Sequence, residues 1–102
     1  MRRVRFSPDA RSQLLAIARY LQEQTGDERA GERTIRRIEE RLLRTAELTP
    51  MLGRPRPELG TEVRSLPHGR YLILLRYTDG TIDVLHVLHG SRDIAAFLRS
   101  GS

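Results

Sequence analysis

Cysteine and lysine are both absent from this 102-residue chain. Without cysteine there are no disulfides and no thiolate metal sites, so the fold must rest on packing alone, in a chain long enough for one modest core. No apolar run approaches the roughly 20 residues of a membrane span, and the opening "MRRVRFSPDA" has no hydrophobic leader region. These absences, together with the lack of any repeat or low-complexity segment, lead to the expectation of one cytoplasmic domain over residues 1–102 with no membrane contact.

The missing lysines leave all 18 basic residues as arginine, with a net charge of +5 and a pI near 10.9. Arginine forks fit carboxylates and phosphates and stay charged when partly buried. The positive balance therefore favours an acidic partner, either nucleic acid or an acidic peptide. Genome composition is a second explanation for the exchange of lysine by arginine, though not for the excess charge.

Residues 2–6, "RRVRF", alternate as a short strand with Val4 and Phe6 on one face. Ser7 as N-cap, Pro8 at the first helical position and Asp9 in the first turn open a helix. Its apolar stripe is Ala10, Leu14, Ile17 and Leu21, and Gly26 is its stop. Asp27 begins a second helix with the stripe Ala30, Thr34, Ile35, Ile38, Leu42 and Ala46, ended by Pro50. Glu and Arg roughly cancel on its other faces, which reads as a solvated surface. The turn between the helices is so short that they must form an antiparallel hairpin.

Residues 51–60, "MLGRPRPELG", read as a loop. Three strands follow, "EVRSL", "RYLILLRY" and "TIDVLHVLH", the last two joined by Asp79-Gly80, a strong two-residue hairpin signal. "DIAAFL" is a short closing helix with Asp93 as its cap. The expected fold is α+β, in the order β-α-α-β-β-β, with a helical hairpin packed on a small antiparallel sheet and a short C-terminal helix.

His86 and His89 are the residues on which hydrolytic chemistry would most naturally rest. Strand alternation sets Ile82, Val84, His86 and Leu88 on one face and Asp83, Leu85, Val87 and His89 on the other. The two histidines then point to opposite sides and cannot form a pair. His68, in "LPHGR", has no visible partner. Arg64 and Arg70 flank a turn and are expected to converge with Arg76 and Arg92 on one side of the meander, a cluster suited to an acidic partner segment. His89, exposed at the strand end beside Gly90, joins them as a binding residue. Leu15, Ala18 and Leu43 lie off the core stripes and are the expected groove for a partner helix.

Taken together, "FSPDARSQLLAIARYL", "LTPMLGRPRPELG", "EVRSLPHGRYLILLRY" and "VLHVLHGSRDI" resemble the ParE/RelE superfamily of type II toxin–antitoxin toxins, most nearly its ParE branch. The likeness runs from Phe6 to about Leu98. It implies a toxin held in check by a cognate antitoxin with an acidic C-terminal segment. ParE-type toxins act on DNA gyrase, whereas RelE-type toxins cut mRNA in the ribosome without a metal, using sheet lysines and arginines and a C-terminal tyrosine or His-Tyr pair. Arg64 and Arg92 sit where such arginines would. Glu62 stands where a cation is wanted, and "DIAAFLRSGS" has neither tyrosine nor histidine. The expectation is therefore a gyrase-binding inhibitor with no catalytic residue, no metal, no cofactor and no direct sequence-specific DNA binding. The alternatives are a RelE-like endoribonuclease and a non-toxic, antitoxin-binding remnant of the fold.

Overall fold

The computed structural model describes residues 1–99, except for the side chains of Ser91, Arg92 and Leu98. The elements are β1 (Arg3–Phe6), α1 (Pro8–Thr25), α2 (Glu28–Glu47), β2 (Arg54–Pro55), a 3-10 turn (Pro57–Leu59), β3 (Arg64–His68), β4 (Tyr71–Thr78), β5 (Thr81–His89) and α3 (Gly90–Arg99). The α+β architecture is as the sequence reading expects. The sheet, however, is mixed: its order is β1-β5-β4-β3-β2, and β1 runs parallel to β5 while every other pair is antiparallel. The whole helical hairpin and the meander separate β1 from β5 in sequence, enough chain for the crossover that a parallel pair requires.

Local chemistry places the helix ends. The Ser7 hydroxyl accepts the Ala10 N–H at 3.0 Å, and Gly26 ends α1 with a left-handed φ of 71°. The Asp27 carboxylate caps α2 through the Arg29 N–H at 2.9 Å. α2 stops at Glu47, three residues before Pro50, because its exit is held from outside: Arg2 donates to the Leu48 and Thr49 carbonyls and stacks on Tyr77, 4.9 Å from the ring centroid. A guanidinium at a helix C-terminus also meets the negative end of the dipole. The segment 51–60 is more ordered than a loop. It contains β2, paired with β3, and the 3-10 turn.

The main core lies between the hairpin and one sheet face, with Ile38, Leu42, Ile73, Leu75, Ile82 and Val84 fully buried. Each such side chain contributes about 1.5–3 kcal/mol relative to exposure. The opposite face carries a smaller cluster around Val63, Leu74 and Leu88, covered by Leu59, Ile94 and Phe97.

Between β4 and β5 the Asp79-Gly80 turn has φ of 43° and 74°, both positive as a type I′ turn needs. The register then shifts: Leu75 lies opposite Val84, but Leu74 lies opposite His86, leaving Leu85 as a bulge. The bulge overturns part of the expected alternation. Ile82 and Val84 share the helix-side face with Val87 and His89, not with His86 and Leu88, because one extra residue reverses the phase of the pleat. His86 and His89 still point to opposite sides. Asp93 also differs from expectation. The helix starts at Gly90, so Asp93 sits in its first turn and its carboxylate accepts the His89 N–H at 2.9 Å.

On the outer face Asp83 accepts a hydrogen bond from the Thr78 hydroxyl and pairs with Arg5 at 2.7 Å. The Thr78 bond first, and Arg5 second, hold its carboxyl below the ordinary value of 3.8. A depressed folded value means the stabilisation is complete above about pH 3.8 and disappears as pH falls through the lower folded value. Urea melts at ~pH 6 and ~pH 3 should therefore show a smaller acid loss in Asp83→Asn than in the native chain. An equal loss in both chains would remove Asp83 from the acid transition.

Candidate functional site

α1 crosses β5, and α3 folds back beside it, so a cleft of about 530 Å3 opens between the two helices over the end of the sheet. Ile17 and Val87 form its apolar floor, with Tyr20, Tyr71, His89 and Phe97 around it. The His89 ring stands between the two tyrosines, its centroid 5.2 Å from Tyr71 and 6.0 Å from Tyr20. Burial pushes the Tyr71 hydroxyl up; the Arg70 charge opposes this and Tyr20 adds to it. Tyr71 therefore stays a protonated donor at neutral pH. Among the described residues, neither phenol oxygen nor either His89 ring nitrogen has a hydrogen-bond partner. Aromatic walls with four unpaired polar groups can receive an aromatic or amphipathic group, and His89 beside a phenol can also move a proton.

The two tyrosines escape the sequence reading because 51 positions separate them and neither is near His89 in the chain. One signal was available. Counting outward from the Asp79-Gly80 turn brings the end of β5 beside Tyr71, though the bulge at Leu85 puts His89 there in place of Leu88. Gln13 has no comparable signal. Its side-chain oxygen accepts the Val87 N–H at 2.8 Å, so its amide nitrogen is the donor to His86 Nδ1 at 3.1 Å.

The expected arginine cluster does not assemble. Arg64 lies opposite Leu75 and so shares the helix-side face, whereas Arg76 is the next residue on β4 and projects to the other side. Arg64 donates to the Met51 and Gly53 carbonyls at 3.2 and 2.9 Å, and Arg76 donates to the Thr61 carbonyl at 2.9 Å. Both guanidiniums hold connecting segments. Arg70 is exposed near the cleft with no ion pair among the described residues. Arg92 has its backbone in α3, and its side chain lies outside the described residues. His89 is part of the cleft instead of an exposed strand end.

Of the expected groove, Leu15 is 63% exposed and Leu43 48%. Ala18 is not exposed with them: it is half-buried at the α1–α2 crossing, where a Cβ on Gly31 would lie 2.7 Å from its backbone.

Burial lowers the affinity of His68 for a proton, and the charges of Arg41, Arg44 and Arg37 lower it further. None of them has a carboxylate within 4 Å among the described residues. Within those residues no group of three or more His, Asp or Glu could hold a metal ion, and no helix is long and apolar enough to cross a membrane.

These features define a small, basic α+β domain with arginine-lined surfaces and one aromatic cleft. The family model for the ParE toxin of the type II toxin–antitoxin system parDE matches residues 4–94, and the chain belongs to that family. A solved structure of the chromosomal ParDE toxin–antitoxin system from P. aeruginosa has a similar fold. Its TM-score is 0.75 at 18% sequence identity, covering 89% of this chain and 98% of the other. No curated protein matches the sequence.

Proposed function

We propose that this chain is the toxin of a type II toxin–antitoxin pair, neutralised by a cognate antitoxin, and that it arrests growth by binding DNA gyrase. Family membership over residues 4–94 carries the reading. Its surface supports an acidic antitoxin. Arg37, Arg41, Arg44 and Arg70 are unpaired cations among the described residues, and Leu15 and Leu43 are exposed apolar side chains on the hairpin. Arg64, which sits where a phosphate-cleaving site would want an arginine, and Arg76, which could add charge to it, stand on opposite sheet faces and donate to backbone carbonyls. This separation favours inhibition by binding over catalysis.

One observation favours the second reading, a metal-independent endoribonuclease. The cleft places His89 between Tyr20 and Tyr71 and so provides the proton-transfer groups missing from the C-terminal tail.

Induced expression without antitoxin should stop growth, and co-expression of the antitoxin should restore it. Unimpeded growth would point to a non-toxic remnant. The purified chain should inhibit gyrase supercoiling. Intact supercoiling at high excess, with mRNA cut at programmed ribosomes and cleavage lost in His89→Ala, would replace this reading with the ribonuclease.

A further inference from the structure

Strand register lines up three side chains at one end of the sheet. His68 on β3 lies opposite Tyr71 on β4, and Tyr71 lies opposite His89 on β5. Directly opposed residues share a face, and Tyr71 packs on the core beneath the hairpin, so the whole row looks toward the helices. All three side chains are half-buried and keep part of their surface in solvent. The row is two strand spacings wide, roughly 10 Å from His89 to His68.

Its two ends differ in chemistry. At the His89 end lies the cleft, with Tyr20 as its exposed α1 wall and unpaired phenol and imidazole groups around an apolar floor. At the His68 end the charges of Arg41, Arg44 and Arg37 act on the imidazole ring. These arginines recur at i, i+4 and i+7 on α2, which sets them on one helix face within about 10 Å of its length. Arg41 is half-buried, Arg37 and Arg44 are exposed, and none has a carboxylate partner among the described residues.

A purely apolar ring in the cleft would leave its polar groups desolvated and unmet, which is costly. A cationic ligand would approach a chain of net charge +5. A flat heterocycle with donors and acceptors on its edge meets the first condition, and clustered negative charge on the same molecule meets the second. We propose that the row is a nucleotide site: the base of a purine nucleoside triphosphate stacks in the cleft against Tyr20 and His89, and its phosphates reach Arg37, Arg41 and Arg44. Three cations within about two helical turns suit a compact polyphosphate. A nucleic-acid strand spreads its charge one phosphate per nucleotide, so the free nucleotide, not a strand, is the ligand.

The test is calorimetric titration of the full chain with ATP, adenosine and inorganic triphosphate, read together with the ring resonances of its three histidines. ATP should bind with a Kd at or below about 100 μM. Adenosine and triphosphate alone should each bind at least roughly tenfold more weakly, because joining the halves makes the second contact intramolecular. Adenosine should shift His89 only, triphosphate His68 only, and ATP both, while His86, on the opposite face, stays in place. Tyr20→Ala should weaken ATP binding roughly fivefold or more and leave triphosphate unchanged. Arg37→Ala should weaken ATP and triphosphate alike, roughly two- to fivefold. Both replaced side chains are exposed, so the fold is retained. Arg54→Ala, opposed to Ser65 on the other face of the sheet, should change neither affinity. No binding of ATP at about 1 mM, or triphosphate binding as tight as that of ATP, would overturn the proposal. So would a shift of His86 in place of His89, an unaltered ATP affinity in Tyr20→Ala, or tighter binding of a single-stranded oligoadenylate than of ATP.

Discussion

Gly31→Leu should be among the most damaging single substitutions in this protein, lowering stability by about 3 kcal/mol. A midpoint drop of roughly 12–24 °C follows for a domain of this size. The reason is the closeness of the helices. A Cβ at position 31 would sit 2.7 Å from the Cα, Cβ and carbonyl oxygen of Ala18, and a backbone cannot move aside as the end of a side chain can. Gly31→Ala frames the comparison. Alanine gains about 1 kcal/mol of helix propensity over glycine, which would stabilise an unobstructed site. Here the contact outweighs that gain, so even alanine should lower the midpoint. Gly26→Ala should also cost stability, through its left-handed φ of 71° alone, since nothing lies within 4 Å of the added carbon. Thermal unfolding followed by circular dichroism decides the matter, and an unchanged or raised midpoint for Gly31→Leu would show that the hairpin can spread freely.

Arg64→Ala should cost about 2 kcal/mol of stability before any effect on binding is considered. Its guanidinium donates to the carbonyls of Met51 and Gly53, and its Cβ closes against Gly53, so it ties the segment leaving α2 to β3. Tyr77 supports the same segment from β4 by donating to the Leu52 carbonyl at 3.0 Å. Arg70→Ala provides the contrast. Arg70 is exposed and unpaired among the described residues, and its removal should leave the urea midpoint within error. Loss of antitoxin or target affinity in Arg70→Ala therefore reports contact, whereas the same loss in Arg64→Ala reports contact only after correction for the unfolded fraction. A native midpoint in Arg64→Ala would return Arg64 to the binding surface.

Much of the fold was legible in local patterns. Ser7, Pro8, Gly26 and Asp27 mark helix ends through bonds made within a few residues, and the apolar stripes of α1 and α2 name Leu14, Ile17, Ile38 and Leu42 as core. The hairpin turn at Asp79-Gly80 is equally local, because its backbone demands two residues at positive φ. The candidate site was legible in far smaller part. His89 was marked, but the tyrosines beside it were not, and the arginines expected to converge are divided between the two faces of the sheet.

The sequence by itself determined the two long helices and their ends, the three strands of the meander with the Asp79-Gly80 turn, the core stripes of α1 and α2, and the positive charge of the chain. Short-range hydrogen bonding and the period of apolar residues settle those matters. Only the tertiary structure decided the parallel placement of β1 against β5, the bulge at Leu85, the close passage of Ala18 under Gly31 and the ring of Tyr20 and Tyr71 around His89. Each depends on groups many residues apart meeting in space, and on a single inserted residue that reverses which face a strand presents.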